Sequence, residues 1–166
     1  MYAGKTISLI MAAASNGVIG DKGGIPWHDP EDLKWFKHQT MGKTVIFGAR
    51  TFASLPPLAG RHIHVISKTG QFPNVHNQRI KVFPDIREAI AMSDTKDVFI
   101  GGGRLVYEMA EPYVDRFLLA HIRAEPQGDT KTPFTLPWGQ KWDCQLCGGE
   151  VNLQNAKEPS IRMKTA

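Results

Sequence analysis

Asp97-Val98-Phe99-Ile100-Gly101-Gly102-Gly103-Arg104-Leu105-Val106-Tyr107-Glu108-Met109-Ala110 is the stretch that decides the fold class. Its apolar start reads as a buried strand, the glycines as a tight turn, and the segment from about Arg104 to Ala110 as a helix. The same alternation recurs on both sides. Upstream, Ile7 to Ala14 is a near-continuous apolar run suited to a central strand. A helix from Pro30 to about Met41, a strand from Thr44 to Phe47 and a short helix near Thr51 follow. Strands from Ile63 to Ile66 and Ile80 to Phe83 precede a helix from Ile86 to Met92, with Asp85 as its cap. Downstream, Arg116 to Ile122 reads as a strand. Pro126, Pro133 and Pro137 punctuate a loop-rich segment before strands from Trp142 to Cys147 and from Ile161 to Lys164. Apolar strands alternating with helices imply an α/β fold: one domain over residues 1–166, with a mostly parallel central sheet, helices on both faces and an antiparallel C-terminal edge. Asn16 to Gly24, with Gly17, Gly20, Gly23 and Gly24, reads as a permissive loop able to act as a lid.

With 42% hydrophobic and 22% charged residues, the 166-residue chain has ordinary globular composition and enough length for a sizeable core. No apolar run reaches the length of a membrane span, and Met1 to Lys5 lacks the pattern of a secretory signal, so a cytoplasmic protein is expected. The net charge of +4 comes from scattered cations, which suits a small polyanionic ligand better than nucleic acid. Cys144 and Cys147 form a C-x-x-C pair, but strand alternation would point them to opposite faces and no second pair completes a zinc site. His62 and His64 share a strand face without a third ligand, and read as solvent-facing. No metal site is expected.

Ile25-Pro26-Trp27-His28-Asp29-Pro30-Glu31-Asp32-Leu33-Lys34-Trp35-Phe36 places a carboxylate among aromatic and aliphatic groups at a helix entrance. Asp29 suits the N-cap and Pro30 the first helical position, while Asp32, Trp35 and Phe36 share a face. Two readings stand: Asp32 completes a capping box, or it is an active-site carboxylate. Three strand ends then present small residues, hydroxyls or cations: Gly48-Ala49-Arg50-Thr51, Ser67-Lys68-Thr69-Gly70 and Gly101-Gly102-Gly103-Arg104. Ligands of open α/β sheets bind at the carboxyl ends of strands, and a dinucleotide would use all three; each alone is also an ordinary turn. G-x-G-x-x-G, Walker and G-x-S-x-G motifs are absent.

Gly17-Val18-Ile19-Gly20, Ile25-Pro26-Trp27, Asp32-Leu33-Lys34-Trp35-Phe36, Gly48-Ala49-Arg50-Thr51-Phe52, Leu58-Ala59-Gly60-Arg61, Ile100-Gly101-Gly102-Gly103 and Gly128-Asp129-Thr130 resemble, in order, the motifs of dihydrofolate reductase. The resemblance runs from Ile7 to about Phe134. It implies a cytoplasmic, monomeric enzyme that transfers a hydride from NADPH to 7,8-dihydrofolate, giving 5,6,7,8-tetrahydrofolate, with no nucleic-acid or membrane partner. By the same resemblance Asp32 binds the pterin edge, Trp27 helps order a water near it, and Ile10, Met11, Leu33, Phe36, Leu55 and Ile100 form the pocket wall. Arg61 matches the cation for the glutamate tail. Ala12, Ile19 and Gly20 match nicotinamide contacts. Gly48, Arg50, Thr51, Ser67 and Lys68 match the adenine-ribose-phosphate region, Gly101, Gly102, Gly103, Arg104 and Leu105 the pyrophosphate turn, and Thr130 a further cofactor contact. The Gly101–Gly102 peptide would be cis.

The chain departs from the family pattern in three places. Ala120 replaces a threonine that partners the carboxylate, and two readings stand: weaker binding of diaminopyrimidine antifolates, as in trimethoprim resistance, or a neutral family variation compensated by water. Ala49 replaces a cofactor cation, leaving Arg50 and Lys68 for the 2'-phosphate. The turn is one residue longer, so either Val106 or Tyr107 faces the site. Two rivals remain: a pyrimidine reductase of riboflavin synthesis, which shares the fold but not Pro26-Trp27 with Asp32, and a non-catalytic nucleotide-binding or RNA-binding module.

Overall fold

A computed structural model describes residues 1–22, 24–26, 30–69, 79–122, 126–133, 141–144, 149–152 and 162–163. The elements are β1 (Thr6–Ala14), β2 (Val18–Gly20), α1 (Pro30–Thr40), β3 (Thr44–Gly48), α2 (Ala49–Ala53), β4 (His62–Ile66), β5 (Ile80–Phe83), α3 (Ile86–Ala91), β6 (Asp97–Gly102), α4 (Arg104–Ala110), β7 (Arg116–Ile122), β8 (Thr130–Lys131), β9 (Lys141–Cys144), β10 (Gly149–Asn152) and β11 (Arg162–Met163). Six strands build a parallel sheet in the order β5-β4-β3-β6-β1-β7. A second, antiparallel sheet orders β11-β10-β9. The strand β10 has no counterpart in the sequence reading, and Cys147 lies outside the described residues.

Strand alternation divides the core into two layers. Ile7, Leu9, Met11, Ile46, Val98 and Ile100 pack on the side of α3 and α4. Ile10, Val45, Phe47, Val65 and Phe99 pack on the other side, where Trp35 and Phe36 of α1 and Phe52 of α2 meet them. Successive side chains of β1, β3 and β6 thus serve opposite layers, which explains runs without a polar face. Asp85 caps α3 by accepting the Arg87 amide at 2.7 Å.

Three local expectations change. His64 is not solvent-facing: it is buried under α3, its Nδ1 2.7 Å from the Ala89 carbonyl oxygen and its ring 4.7 Å from that of Phe83. Both faces of β4 are covered, so a polar residue there must find an internal partner. The segment from Asn16 to Gly24 is not wholly loop, because β2 pairs with β8, Val18 opposite Lys131 and Gly20 opposite Thr130. The cis peptide joins Gly102 to Gly103 rather than Gly101 to Gly102. The extra residue of this turn is absorbed within β6: Ile46 pairs with Ile100 but Phe47 with Gly102, leaving Gly101 as a bulge. Among the described residues, no helix is long and apolar enough to cross a membrane.

Candidate active site

The carboxyl ends of β1, β3, β4 and β6 open into a cavity of about 570 Å³. α1 delivers Asp32 to it from the first helical turn, with Leu33 and Phe36 beside it. Asp32 is only 8% exposed, an unusual position for a carboxylate within walls formed by Ile10, Met11 and Leu55. Ala12, Ile19 and Gly20 continue the wall. The remaining lining comes from strand-end turns: Gly48, Arg50 and Thr51 after β3, Ser67 and Lys68 after β4, and Gly101, Gly102, Gly103, Arg104 and Leu105 after β6, with Thr130 from β8.

Close approach explains the glycine at 103. A Cβ there would come within 2.7 Å of the Thr51 hydroxyl oxygen, so only glycine lets the turn lie against α2. Arg50 and Lys68 have no carboxylate within ion-pair distance among the described residues, leaving two cations for an anionic ligand.

Tyr107 answers the question of the longer turn: it and Val106 both line the cavity, and its buried hydroxyl donates to the Ile10 carbonyl at 2.9 Å. The Gly101 carbonyl lies 3.2 Å from the same oxygen. Burial, then the nearby Asp32 charge, push the Tyr107 phenol well above its ordinary pKa, so it remains a neutral donor. At the rim, Asp129 accepts from the Lys22 amide at 3.0 Å and the Thr130 hydroxyl at 2.8 Å. The Thr130 hydroxyl and then the Lys22 amide hold its carboxyl below the usual range. The Lys22–Asp129 bond ties the segment after β2 to the residue before β8 across distant sequence.

Three expected site residues do not line this cavity. Arg61 is buried behind α1, its Nε donating to the Ala59 carbonyl at 3.1 Å and its Nη1 reaching Thr40 Oγ1 at 3.5 Å. Burial lowers its guanidinium pKa, and no carboxylate pairs with it among the described residues. Ile100 is fully buried one position below the bulge, and Ala120 is fully buried opposite Ala12. Trp27 lies outside the described residues.

A family model described as dihydrofolate reductase matches residues 6–151. This chain belongs to the dihydrofolate reductase family. Dihydrofolate reductase type 3 of Salmonella typhimurium is 42% identical over 135 residues, spanning 80% of this chain and 82% of that protein. Dihydrofolate reductase type 9 of Escherichia coli is 36% identical over 140 residues, 79% of this chain and 78% of its own length. The dihydrofolate reductase of Haemophilus influenzae is 34% identical over 144 residues, covering 85% and 86% of the two chains. A solved dihydrofolate reductase from Enterococcus faecalis, complexed with NADP(H) and RAB-propyl, superposes with a TM-score of 0.70 at 27% identity, over 98% of this chain and 94% of that one.

The chain also lines its cavity with residues the sequence reading did not assign to the site, including Trp35, Phe47, Leu58 and Met109. Trp35 carried a signal, since it lies three residues after Asp32 on the same helix face. Met109 follows Leu105 by one helical turn. Phe47 carried none, because a phenylalanine closing an apolar strand reads as core.

Proposed function

We propose that this chain reduces 7,8-dihydrofolate to 5,6,7,8-tetrahydrofolate with NADPH. The observation that carries the proposal is one cavity joining a buried carboxylate in an apolar pocket, Asp32, to a glycine-lined end bearing Arg50 and Lys68. The donor set fits the cofactor: Gly48, Thr51, Ser67 and the turn from Gly101 to Leu105 would hold its ribose and phosphate groups, and Arg50 with Lys68 its extra phosphate. Ala12, Ile19, Gly20 and Thr130 complete the cofactor side. When bound, NADPH supplies the hydride.

The chain's own groups bind, orient and exclude water. Asp32 accepts from the amide and amino edge of the pterin, polarising it, and a water delivers the proton to the acceptor nitrogen, with Trp27 assigned to ordering that water. Ile10, Met11, Leu33, Phe36 and Leu55 keep the ring dry. The guanidinium of Arg61, which pairs with no carboxylate among the described residues, is assigned to the tail carboxylate of the substrate. Ala120 extends the proposal: where the family's threonine would offer a hydroxyl, alanine offers none, so diaminopyrimidine antifolates such as trimethoprim bind less well while dihydrofolate is still reduced. The enzyme acts as a monomeric single domain in the cytoplasm.

The deciding experiment mixes purified protein, NADPH and dihydrofolate and follows the loss of reduced-nicotinamide absorbance. Oxidation that requires both protein and dihydrofolate is expected. Oxidation only with a pyrimidine precursor of riboflavin, or tight salt-sensitive RNA binding without oxidation, would replace the proposal with one of its rivals.

A further inference from the structure

The bulge in β6 has an occupant. A Cβ built on Gly101 would lie 2.5 Å from Phe47 Cε1, 2.8 Å from Cζ and 3.0 Å from Cδ1, so the Phe47 ring fills the space a side chain at position 101 would need. That ring cannot retreat easily. It is 2% exposed, and the rings of Phe36 and Phe52 stand 6.3 Å and 6.0 Å from it, centroid to centroid. Its open side is the cavity, which Phe47, Phe36 and Gly101 all line.

We infer that Phe47 and Gly101 act as a matched pair that sets the room for the substrate's ring system. Phe47 is the specificity-determining wall, and Gly101 is the positioning residue that keeps its ring out of the cavity. The inference rests on the proposed reduction of dihydrofolate. Any side chain at 101 displaces the Phe47 ring toward the ligand, because close-packed neighbours yield less readily than open space. A two-ring pterin, which needs more of that space, suffers more than a one-ring diaminopyrimidine.

The test is a double-variant cycle of Gly101→Ala, Phe47→Leu and both together, measuring kcat and KM for dihydrofolate, KM for NADPH and inhibition by a one-ring diaminopyrimidine, with thermal melting to monitor folding. Gly101→Ala should raise the KM for dihydrofolate about tenfold, the scale of a modest overpacking penalty, and by a larger factor than it raises the KM for NADPH. Its diaminopyrimidine inhibition should weaken less. Phe47→Leu removes the ring atoms that the new Cβ strikes, so the double variant should recover most of the lost affinity. Independent, multiplicative effects, or equal weakening of both ligands, would overturn the pairing while leaving the proposed reaction intact. If Gly101→Ala does not fold, a folded double variant supports the pair and an unfolded one overturns it. A parent protein that does not oxidise NADPH with dihydrofolate overturns the reaction and, with it, the wall's role.

Discussion

Tyr107→Phe removes a single oxygen from the centre of the molecule and has a calculable cost. The Tyr107 hydroxyl is 2.9 Å from the Ile10 carbonyl, at a point where the ladder between β1 and β6 has already ended with Leu9 opposite Ile100. It therefore substitutes for a missing strand partner. Losing a net hydrogen bond costs about 1 kcal/mol, and stranding a buried carbonyl costs about 1–3 kcal/mol. Ile10 lines the cavity, so water can reach part of its surroundings and bring the expected total to about 1–2 kcal/mol. For a chain of this length that lowers Tm by about 3–6 °C. Urea unfolding should show a lower midpoint at unchanged m. A second readout follows from the phenol, whose folded pKa is raised above its ordinary 10.0. A raised pKa means stability present in full below about pH 10 and lost as pH rises beyond it, because the unfolded phenol ionises first. The parent should lose stability on this alkaline limb and the Phe variant should lose less. Equal midpoints near neutrality together with equal alkaline slopes would refute the assigned bond and the burial argument.

Four further outcomes are expected. Asp32→Asn should cut turnover at neutral pH about a hundredfold or more, with NADPH affinity measured by fluorescence titration retained; parental turnover would remove Asp32 from the chemistry. The Arg50→Ala/Lys68→Ala variant should lose about a hundredfold of the preference for NADPH over NADH in kcat/KM, since each charged contact contributes about 1.5–3 kcal/mol, and undiminished preference would point to another cation. Ala120→Thr should tighten diaminopyrimidine inhibition, up to about tenfold, once Ki is corrected for the dihydrofolate KM; unchanged inhibition would clear Ala120. Burial depresses the His64 pKa below its ordinary 6.5, so its neutral form favours folding above that value and stability declines as pH falls through the mildly acidic range. His64→Gln should flatten that decline in pH-dependent unfolding, and an unaltered slope would assign it elsewhere.

Elements were legible where local signals and tertiary demand agreed. The run from Ile7 to Ala14 announced a buried strand, and Asp85 announced the start of α3 through its own side chain. The same strand-end residues that suggested a dinucleotide, among them Arg50, Lys68 and Gly103, line one cavity. Failures arose where a residue's fate depends on distant partners. His64 reads as polar and exposed until α3 covers it, and β2 is too short to be seen without β8, more than a hundred residues on. The bulge at Gly101 comes from pairing against β3, which no pattern within β6 encodes, and Ile100 is buried by core residues distant in sequence.

The position of β1 in the sheet constrains how the chain can assemble. It is among the most apolar strands, it precedes the other described strands in the chain, and its neighbours are β6 and β7, both supplied by residues beyond 96. Until residues beyond 96 are made, then, β1 has neither edge paired, while β3, β4 and β5 can already associate as neighbours. Closing the chain onto β1 requires large loops to be ordered before the contacts repay that entropy, which predicts slow folding for the chain's size. Until then the run from Ile7 to Ala14 is a sticky, unpaired template, and protecting β1 from self-association is the main task any folding helper of this chain would face.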